Sequence, residues 1–353
     1  IAVDLTHPKP AQWRTVVAEG ADVITQAQVA AGRLIVHTLH DASSRLTRYS
    51  LQGHKLGAVT LPGLGDASNL SAKATQRMAY FSFTGFATPP SNYRLDMHTG
   101  TVTLDWAPKL AFKPADYVTE QVFYKSRDGT RVPMFISYKK GLKKSGANPA
   151  LLYGYGGFNI SLLPSFSVQN LVWMEAGGVY AQPNLRGGGE YGEAWHLSGT
   201  KAHKQNVFDD FAAAAQYLIA QRYTSPKHLG IYGRSNGGLL IGATLNQHPE
   251  LFAAAVPGVG VMDMLRFHLF TIGAAWRDDY GSSETAEGFA ALYPYSPVHN
   301  IKAGAPYPPT LTITADHDDR VVPGHSFKYA AAMQAANADN PNPQLIRIEE
   351  ELA

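Results

Sequence analysis

The 353 residues read as an α/β protein: a mostly parallel sheet covered by helices on both faces, preceded by an all-β segment. Three observations point there. Up to about residue 118, short β-branched and aromatic runs alternate with turn residues, and no window keeps a 3.6-residue period. From about 119 onward, strand-length apolar runs alternate with longer helical ones, the pattern of a parallel sheet covered by helices. A G-x-S-x-G pentapeptide, Gly233 to Gly237, joins one such strand to one such helix. Hydrophobic residues make up 45%, enough for a sizeable core, and the length suits one large domain or two ordinary ones.

In the first part, Leu34 to Leu39, Leu46 to Leu51 and Met78 to Phe83 are strand candidates. Turn residues at Asp41 to Ser44, Gln52-Gly53 and Thr99-Gly100 separate them. Arg48 to Gly53 resembles Arg94 to Gly100, with 47 residues between the two glycines. That spacing fits the roughly 40–50-residue period of a four-stranded propeller blade. It fits an ordinary antiparallel meander equally well. A closed propeller needs at least four blades, and this segment has room for two or three.

In the second part the expected strands are Pro149 to Tyr153, Gly178 to Gln182, Leu229 to Tyr232, Thr310 to Thr314 and Gln344 to Ile348. Val207 to Ala220 is helical, with apolar residues at 207, 208, 211, 214 and 218. Helices are also expected over Gly237 to Asn246 and Gly324 to Ala336.

The net charge of +2 offers no counterion-release drive toward nucleic acid. No apolar run reaches the roughly 18 residues that span a bilayer; Leu251 to Leu265 is broken by Pro257, Gly258, Gly260 and Asp263. There are no cysteines, which excludes disulfides, thiolate-held metals and thiol catalysis but leaves a cytoplasmic and a periplasmic location both open. The sequence opens on Ile1 with no signal-peptide pattern, so the native N-terminus is expected to be removed or not included.

The pentapeptide carries the chemistry. Its glycines allow a sharp turn that lifts the Ser235 hydroxyl above the sheet edge, and the helix behind it aims N–H groups at the same place. Serine needs a base and an orienting carboxylate. Asp316-His317-Asp318-Asp319-Arg320 follows the strand ending at Thr314, where such sheets keep their sites. One of its aspartates is a candidate orienter; a solvated turn capping the next helix and a metal site are the alternatives. Tyr153 to Phe158 stands where an oxyanion loop is expected. Phe158, Trp276 and Tyr280 are aromatic residues in loop-like contexts. Arg186 to Glu190 lacks the spacing of a phosphate or dinucleotide loop and reads as a tight structural turn, so no cofactor is implied, and Arg320 within the acidic cluster argues against a metal there.

Leu152 to Phe158, Asn184 to Glu193, Lys204 to Phe211, Gly233 to Leu240, Gly260 to Phe267 and Ala315 to Pro323 closely resemble the prolyl oligopeptidases, also called prolyl endopeptidases. The resemblance implies an α/β-hydrolase domain (119–353) and the last blades of a seven-bladed β-propeller (1–118). It implies a monomeric serine endopeptidase that cuts after proline in short peptides, with oligopeptide partners and neither nucleic acid nor membrane. Carried over, Ser235 is the nucleophile and Asp318 the orienting carboxylate. The Tyr155 hydroxyl and Asn236 N–H are the oxyanion donors, and Arg320 holds the substrate carbonyl before proline. Trp276 stacks on the proline ring, with Phe158, Val261, Tyr280 and Val321 walling the pocket.

A relative of other specificity is the runner-up: a dipeptidyl or acylaminoacyl peptidase or an esterase. A propeller-based binding protein without activity is a third reading. In the family the strand ending near Ile348 leads into a loop bearing the catalytic histidine. Here Glu349-Glu350-Glu351-Leu352-Ala353 follows instead. Neither His317, adjacent to the candidate orienter, nor His325, at a helix start, suits the role. The base and the earlier blades are therefore expected outside this sequence, the chain being either cut or joined across a gap.

Overall fold

A computed structural model describes residues 1–350. Of the tail read above in place of a histidine loop, Glu351, Leu352 and Ala353 lie outside the described residues. Contacts divide the chain into two units, residues 1–116 with 163–171 and residues 117–162 with 172–353.

The first unit holds two four-stranded antiparallel sheets. One is β1 (Val23–Ala30), β2 (Arg33–His40), β3 (Ser43–Ser50) and β4 (Lys55–Val59); the other is β5 (Asp66–Ala72), β6 (Met78–Gly85), β7 (Thr88–Asp96) and β8 (Val102–Trp106). Strands in each sheet lie in chain order, each pairing with the next. Two-residue turns at Ala31-Gly32 and Asp41-Ala42, all four residues at positive φ, match the right-handed twist of the strands they join. The repeat seen in the sequence is real: Arg48 to Gly53 and Arg94 to Gly100 each end the third strand of a sheet and turn into the fourth. Among the described residues there are two such sheets, the lower of the two counts expected. Alternate residues face inward, so Ile35, Leu46, Ala79, Phe81, Phe83 and Leu95 make one core.

The second unit begins with an antiparallel hairpin, β9 (Tyr117–Lys125) and β10 (Arg131–Lys139), closed by a loop over 126–130 in which Gly129 N–H donates to the Ser126 carbonyl. Next along the chain come β11 (Ala150–Tyr153), α1 (Val168–Glu175, divided between the two units after residue 171), β12 (Val179–Pro183), α2 (Glu193–Leu197), α3 (Gln205–Ala220), β13 (Leu229–Arg234), α4 (Asn236–Gln247) and β14 (Ala254–Gly258). The chain continues through α5 (Arg277–Tyr280), α6 (Ala286–Leu292), β15 (Thr310–Ala315), α7 (Gly324–Ala336) and β16 (Gln344–Glu349). The sheet order is β16-β15-β14-β13-β11-β12-β10-β9. From β12 to β16 neighbours are parallel; β10 runs antiparallel to both of its own.

Two helices show how sequence dictates this packing. The α3 periodicity buries Val207, Phe208, Phe211, Ala214 and Leu218 on one face. By contrast α4 is buried almost all round, and its glycines allow the approach. A Cβ on Gly238 would stand 2.5 Å from the Gly260 Cα, so α4 can lie against the chain after β14 only if position 238 has no side chain. The parallel order places the ends of β11, β13, β14 and β15 side by side, and the candidate residues stand in the loops after them.

Candidate active site

Between the end of β13 at Arg234 and the start of α4 at Asn236 there is one residue, Ser235. So sharp a reversal requires φ 57° and ψ −119° there, a conformation that costs a side-chain-bearing residue on the order of 1–3 kcal/mol. Two glycines make room for it. A Cβ on Gly233 would stand 2.4 Å from the Gly237 oxygen, and one on Gly237 2.6 Å from the Gly154 oxygen. The Ser235 N–H donates to the Gly258 carbonyl at 3.0 Å, tying the elbow to the end of β14.

Tyr155 stands two residues past β11, the strand beside β13. The Ser235 side chain is among the groups that act on its phenol. Burial first, and then Asp279, push the phenol up to about 12, with Arg320 acting in the opposite sense. It therefore stays protonated and able to donate at neutral pH. Asn236 is buried, and its carboxamide donates to the Tyr155 carbonyl at 2.6 Å and accepts from the Tyr280 hydroxyl at 2.9 Å. As the first residue of α4, its own N–H has no acceptor within the helix, and the positive end of the helix lies at the same spot.

The aromatic residues cluster. Phe158 meets Tyr280 edge-on at 5.3 Å, Phe267 does the same from 5.2 Å, and Trp276 lies nearly parallel to Phe267 at 6.5 Å. Phe158 and Trp276 are half-buried, whereas Tyr280, Val261 and Val321 belong to the buried core those two pack against. Trp276 and Tyr280 are not loop residues, as their flanking sequence suggested: one ends a 3₁₀ turn (Thr271–Trp276) and the other ends α5. The glycine at 281, at φ 86°, stops that short helix just after Tyr280.

In the loop after β15, Asp318 Oδ1 accepts the N–H groups of Arg320 at 3.0 Å and Val321 at 2.9 Å. The carboxylate folds its own loop and does not cap α7, whose first turn has no side-chain cap. Arg320 is exposed, and its charge is felt at Tyr155. The histidines near this loop are engaged elsewhere. His317 is exposed and holds Asp316 at 2.6 Å. His325 is buried, its Nδ1 accepting the Asp263 N–H at 3.1 Å and its ring edge-on to Phe270.

Sequence reasoning missed a buried polar group beside these residues. Asp279 Oδ1 accepts the Phe158 N–H at 3.0 Å and pairs with His196 Nε2 at 2.9 Å. Lys204 Nζ lies 3.5 Å from Asp279 Oδ2 and donates to the Gly156 carbonyl at 2.9 Å. These residues are far apart in the chain, so no local spacing could announce them. The glycine-rich turn at Arg186 to Glu190 is structural, as read. Asn159 N–H donates to the Gly187 carbonyl at 3.1 Å, and Cβ atoms on Gly187 and Gly189 would collide with Gly156 and Asn159. It is a shelf for the loop carrying Tyr155.

Two buried groups give the fold opposed pH dependences. Burial pushes His325 down to about 4, from 6.5. Its contribution is complete above pH 6.5 and is lost as pH falls through 4. Burial pushes Glu190 up to about 7, from 4.5, so its contribution is complete below pH 4.5 and is lost as pH rises through 7. Glu190 Oε1 accepts from Leu162 N–H and Asn184 Nδ2; its Oε2 and the Asn184 Oδ1 have no partner among the described residues. Glu190→Gln is thus expected to gain on the parent by on the order of 3 kcal/mol at about pH 8, with little difference below pH 4.5. Denaturant midpoints of both proteins across that range check it; parallel profiles would refute it.

Residues 164–351 match the model of the prolyl oligopeptidase family, and residues 1–105 that of the prolyl oligopeptidase N-terminal β-propeller domain. A prolyl endopeptidase of Elizabethkingia meningoseptica is 50% identical over 350 residues, covering 99% of this chain and 49% of that protein. The chain thus spans about half the length of such curated relatives. A solved structure from a structural and mechanistic study of two prolyl endopeptidases superposes with a TM-score of 0.93 at 46% identity, covering 99% of this chain and 51% of the other. Prolyl oligopeptidase B of Galerina marginata, solved as a histidine-to-alanine variant bound to a 35-residue hydrolysis and macrocyclization substrate, superposes with a TM-score of 0.91 at 37% identity, covering 96% of this chain and 49% of the other.

Proposed function

The chain belongs to the prolyl oligopeptidase family, and we propose from that premise that the protein is a serine endopeptidase cleaving on the carboxyl side of proline in short peptides. The observation that carries this reading is the Ser235 elbow. The Tyr155 phenol feels the Ser235 side chain, the first N–H of α4 follows it directly, and the aromatic cluster reaches the same turn through the bond from Tyr280 to Asn236.

In this mechanism Ser235 Oγ attacks the carbonyl carbon of the prolyl residue as its proton passes to an imidazole base, which Asp318 orients. Negative charge gathers on the carbonyl oxygen, and the Tyr155 hydroxyl and Asn236 N–H donate to it. The amine leaves with the proton from the base, and an acyl-enzyme remains on Ser235. Water, deprotonated by the same base, releases the acid. Arg320, with its exposed guanidinium, holds the carbonyl before proline. Proline has no N–H and a rigid ring, so its slot should be apolar. Trp276 supplies the stacking face and Phe158 the adjoining wall, with Val261, Tyr280 and Val321 packed behind.

A chromogenic peptide with proline before the scissile bond should be cleaved at least about 100-fold more efficiently than its alanine counterpart, if the ring contributes about 3 kcal/mol through burial and stacking. Equal kcat/KM for the two would remove the proline assignment. Blocked and free-N-terminus versions of the peptide should be cleaved alike by an endopeptidase. Tyr155→Phe should lower kcat about 10²- to 10³-fold with the fold intact, since one preorganised donor is lost. An unchanged kcat would take Tyr155 out of the oxyanion site.

A further inference from the structure

We propose that Asp279 and Lys204 are positioning residues for the reaction. Gripping the loop just after Tyr155, at Phe158 and Gly156, they fix where the Tyr155 hydroxyl stands against Ser235. This rests on the reading of Tyr155 as an oxyanion donor.

The loop needs an external grip. Gly156 and Phe158 both have positive φ, 65° and 57°, and Asn159 follows at 57°. Side-chain-bearing residues do not hold such a run by local preference. Three of the contacts that hold it come from far along the chain. Lys204 Nζ binds the Gly156 carbonyl at 2.9 Å, Asp279 Oδ1 binds the Phe158 N–H at 3.0 Å, and the Asn236 carboxamide binds the Tyr155 carbonyl at 2.6 Å. The first two come from one ion pair that is removed from water, Lys204 at 1% and Asp279 at 4% exposure. A charge pair so deeply buried is a poor source of net stability, because desolvation offsets the attraction. What it supplies is geometry: a carboxylate and an ammonium fixed 3.5 Å apart, each with one bond to the same loop.

The pair is itself braced. His196 Nε2 meets Asp279 Oδ1 at 2.9 Å, and Lys204 Nζ lies 5.2 Å from the centre of the Tyr280 ring. Tyr280 in turn donates to Asn236. All three grips on the loop therefore trace to neighbouring residues, Asp279 and Tyr280, of the same short helix α5. Asp279 also acts on Tyr155 through space, helping to hold its hydroxyl protonated.

A misplacement of about 1 Å at a reacting group lowers rate by about 10²-fold. Asp279→Asn, which keeps an oxygen for the Phe158 N–H but removes the charge, should lower kcat about 10- to 100-fold and leave KM within about threefold. Lys204→Met should do the same. The decisive comparison is with Tyr155→Phe. If the pair acts through the Tyr155 hydroxyl, adding Asp279→Asn to Tyr155→Phe should cost less than about threefold more, although each change alone costs far more. Independent, multiplying losses would overturn the proposal, as would a rise in KM at unchanged kcat. Failure of both Asp279→Asn and Lys204→Met to fold would also overturn it, since the pair would then be a folding element. Each variant should be assayed on an activated ester as well as on the proline peptide. Hydrolysis of the ester with no cleavage after proline would defeat the proline reading, while the same comparison with Tyr155→Phe would still decide the role of Asp279 and Lys204.

Discussion

Ser235→Ala is expected to lower turnover of a proline-containing chromogenic peptide by on the order of 10⁶-fold and to leave the protein folded. The strain at the elbow is a backbone property, and alanine carries the same Cβ into the same φ of 57°. The Gly258 carbonyl keeps its N–H partner, and the room left by Gly233 and Gly237 is unaffected. Only the hydroxyl is lost. Binding should therefore survive: the variant should still bind proline peptides with a dissociation constant near the parent's KM, and its thermal midpoint should move by no more than a few degrees. Residual turnover above about 1% of the parent's would mean that another group performs the attack.

Asp318→Asn should lower kcat by about 10⁴-fold, the loss expected when an orienting carboxylate becomes an amide. The structure makes this substitution more informative than alanine. Asp318 Oδ1 accepts two backbone N–H groups, at Arg320 and Val321, and so shapes the loop that presents Arg320. An asparagine oxygen can accept the same two bonds, so the loop should persist while the charge disappears. The imidazolium formed during attack would then lack its counter-charge and its fixed tautomer. Steady-state kinetics alongside near-ultraviolet circular dichroism will separate the two effects. Near-parental kcat in a folded Asp318→Asn protein would reduce Asp318 to a loop-shaping residue.

The parts of this molecule that were legible in the sequence are those fixed by neighbours in the chain. The elbow was readable because Gly233, Ser235 and Gly237 must all lie within one turn, and α3 because Val207, Phe208, Phe211, Ala214 and Leu218 mark a single face. Strands β2, β3 and β6 stood out through their β-branched and aromatic residues. Strand β5 did not, since DASNLSA is rich in small and polar residues and is a strand by virtue of its partner, and in β1 Gln26-Ala27-Gln28 interrupts the β-branched Val23, Ile24, Thr25 and Val29.

The same distinction runs through the site. Ser235 and the acidic loop around Asp318 announce themselves locally. The ion pair of Lys204 with Asp279 joins residues that only the tertiary fold brings together. So does the bond of Arg186 to Asp210, 2.6 Å long and shielded from water, which fastens the glycine-rich turn to α3. Tyr280 shows the limit from the other side: its neighbours in sequence look loop-like, yet it is buried and hydrogen-bonded to the residue after the serine.

Everything rests on Ser235 as the atom that takes the acyl group. The direct measurement is to treat the protein with an excess of a fluorophosphonate, which phosphorylates activated serines, and to map the adduct by peptide mass spectrometry. One equivalent on Ser235, its formation slowed by prior addition of a proline-containing peptide and abolished in Ser235→Ala, is the predicted result. An adduct on a different residue, with Ser235 unmodified while peptidase activity disappears, would contradict it.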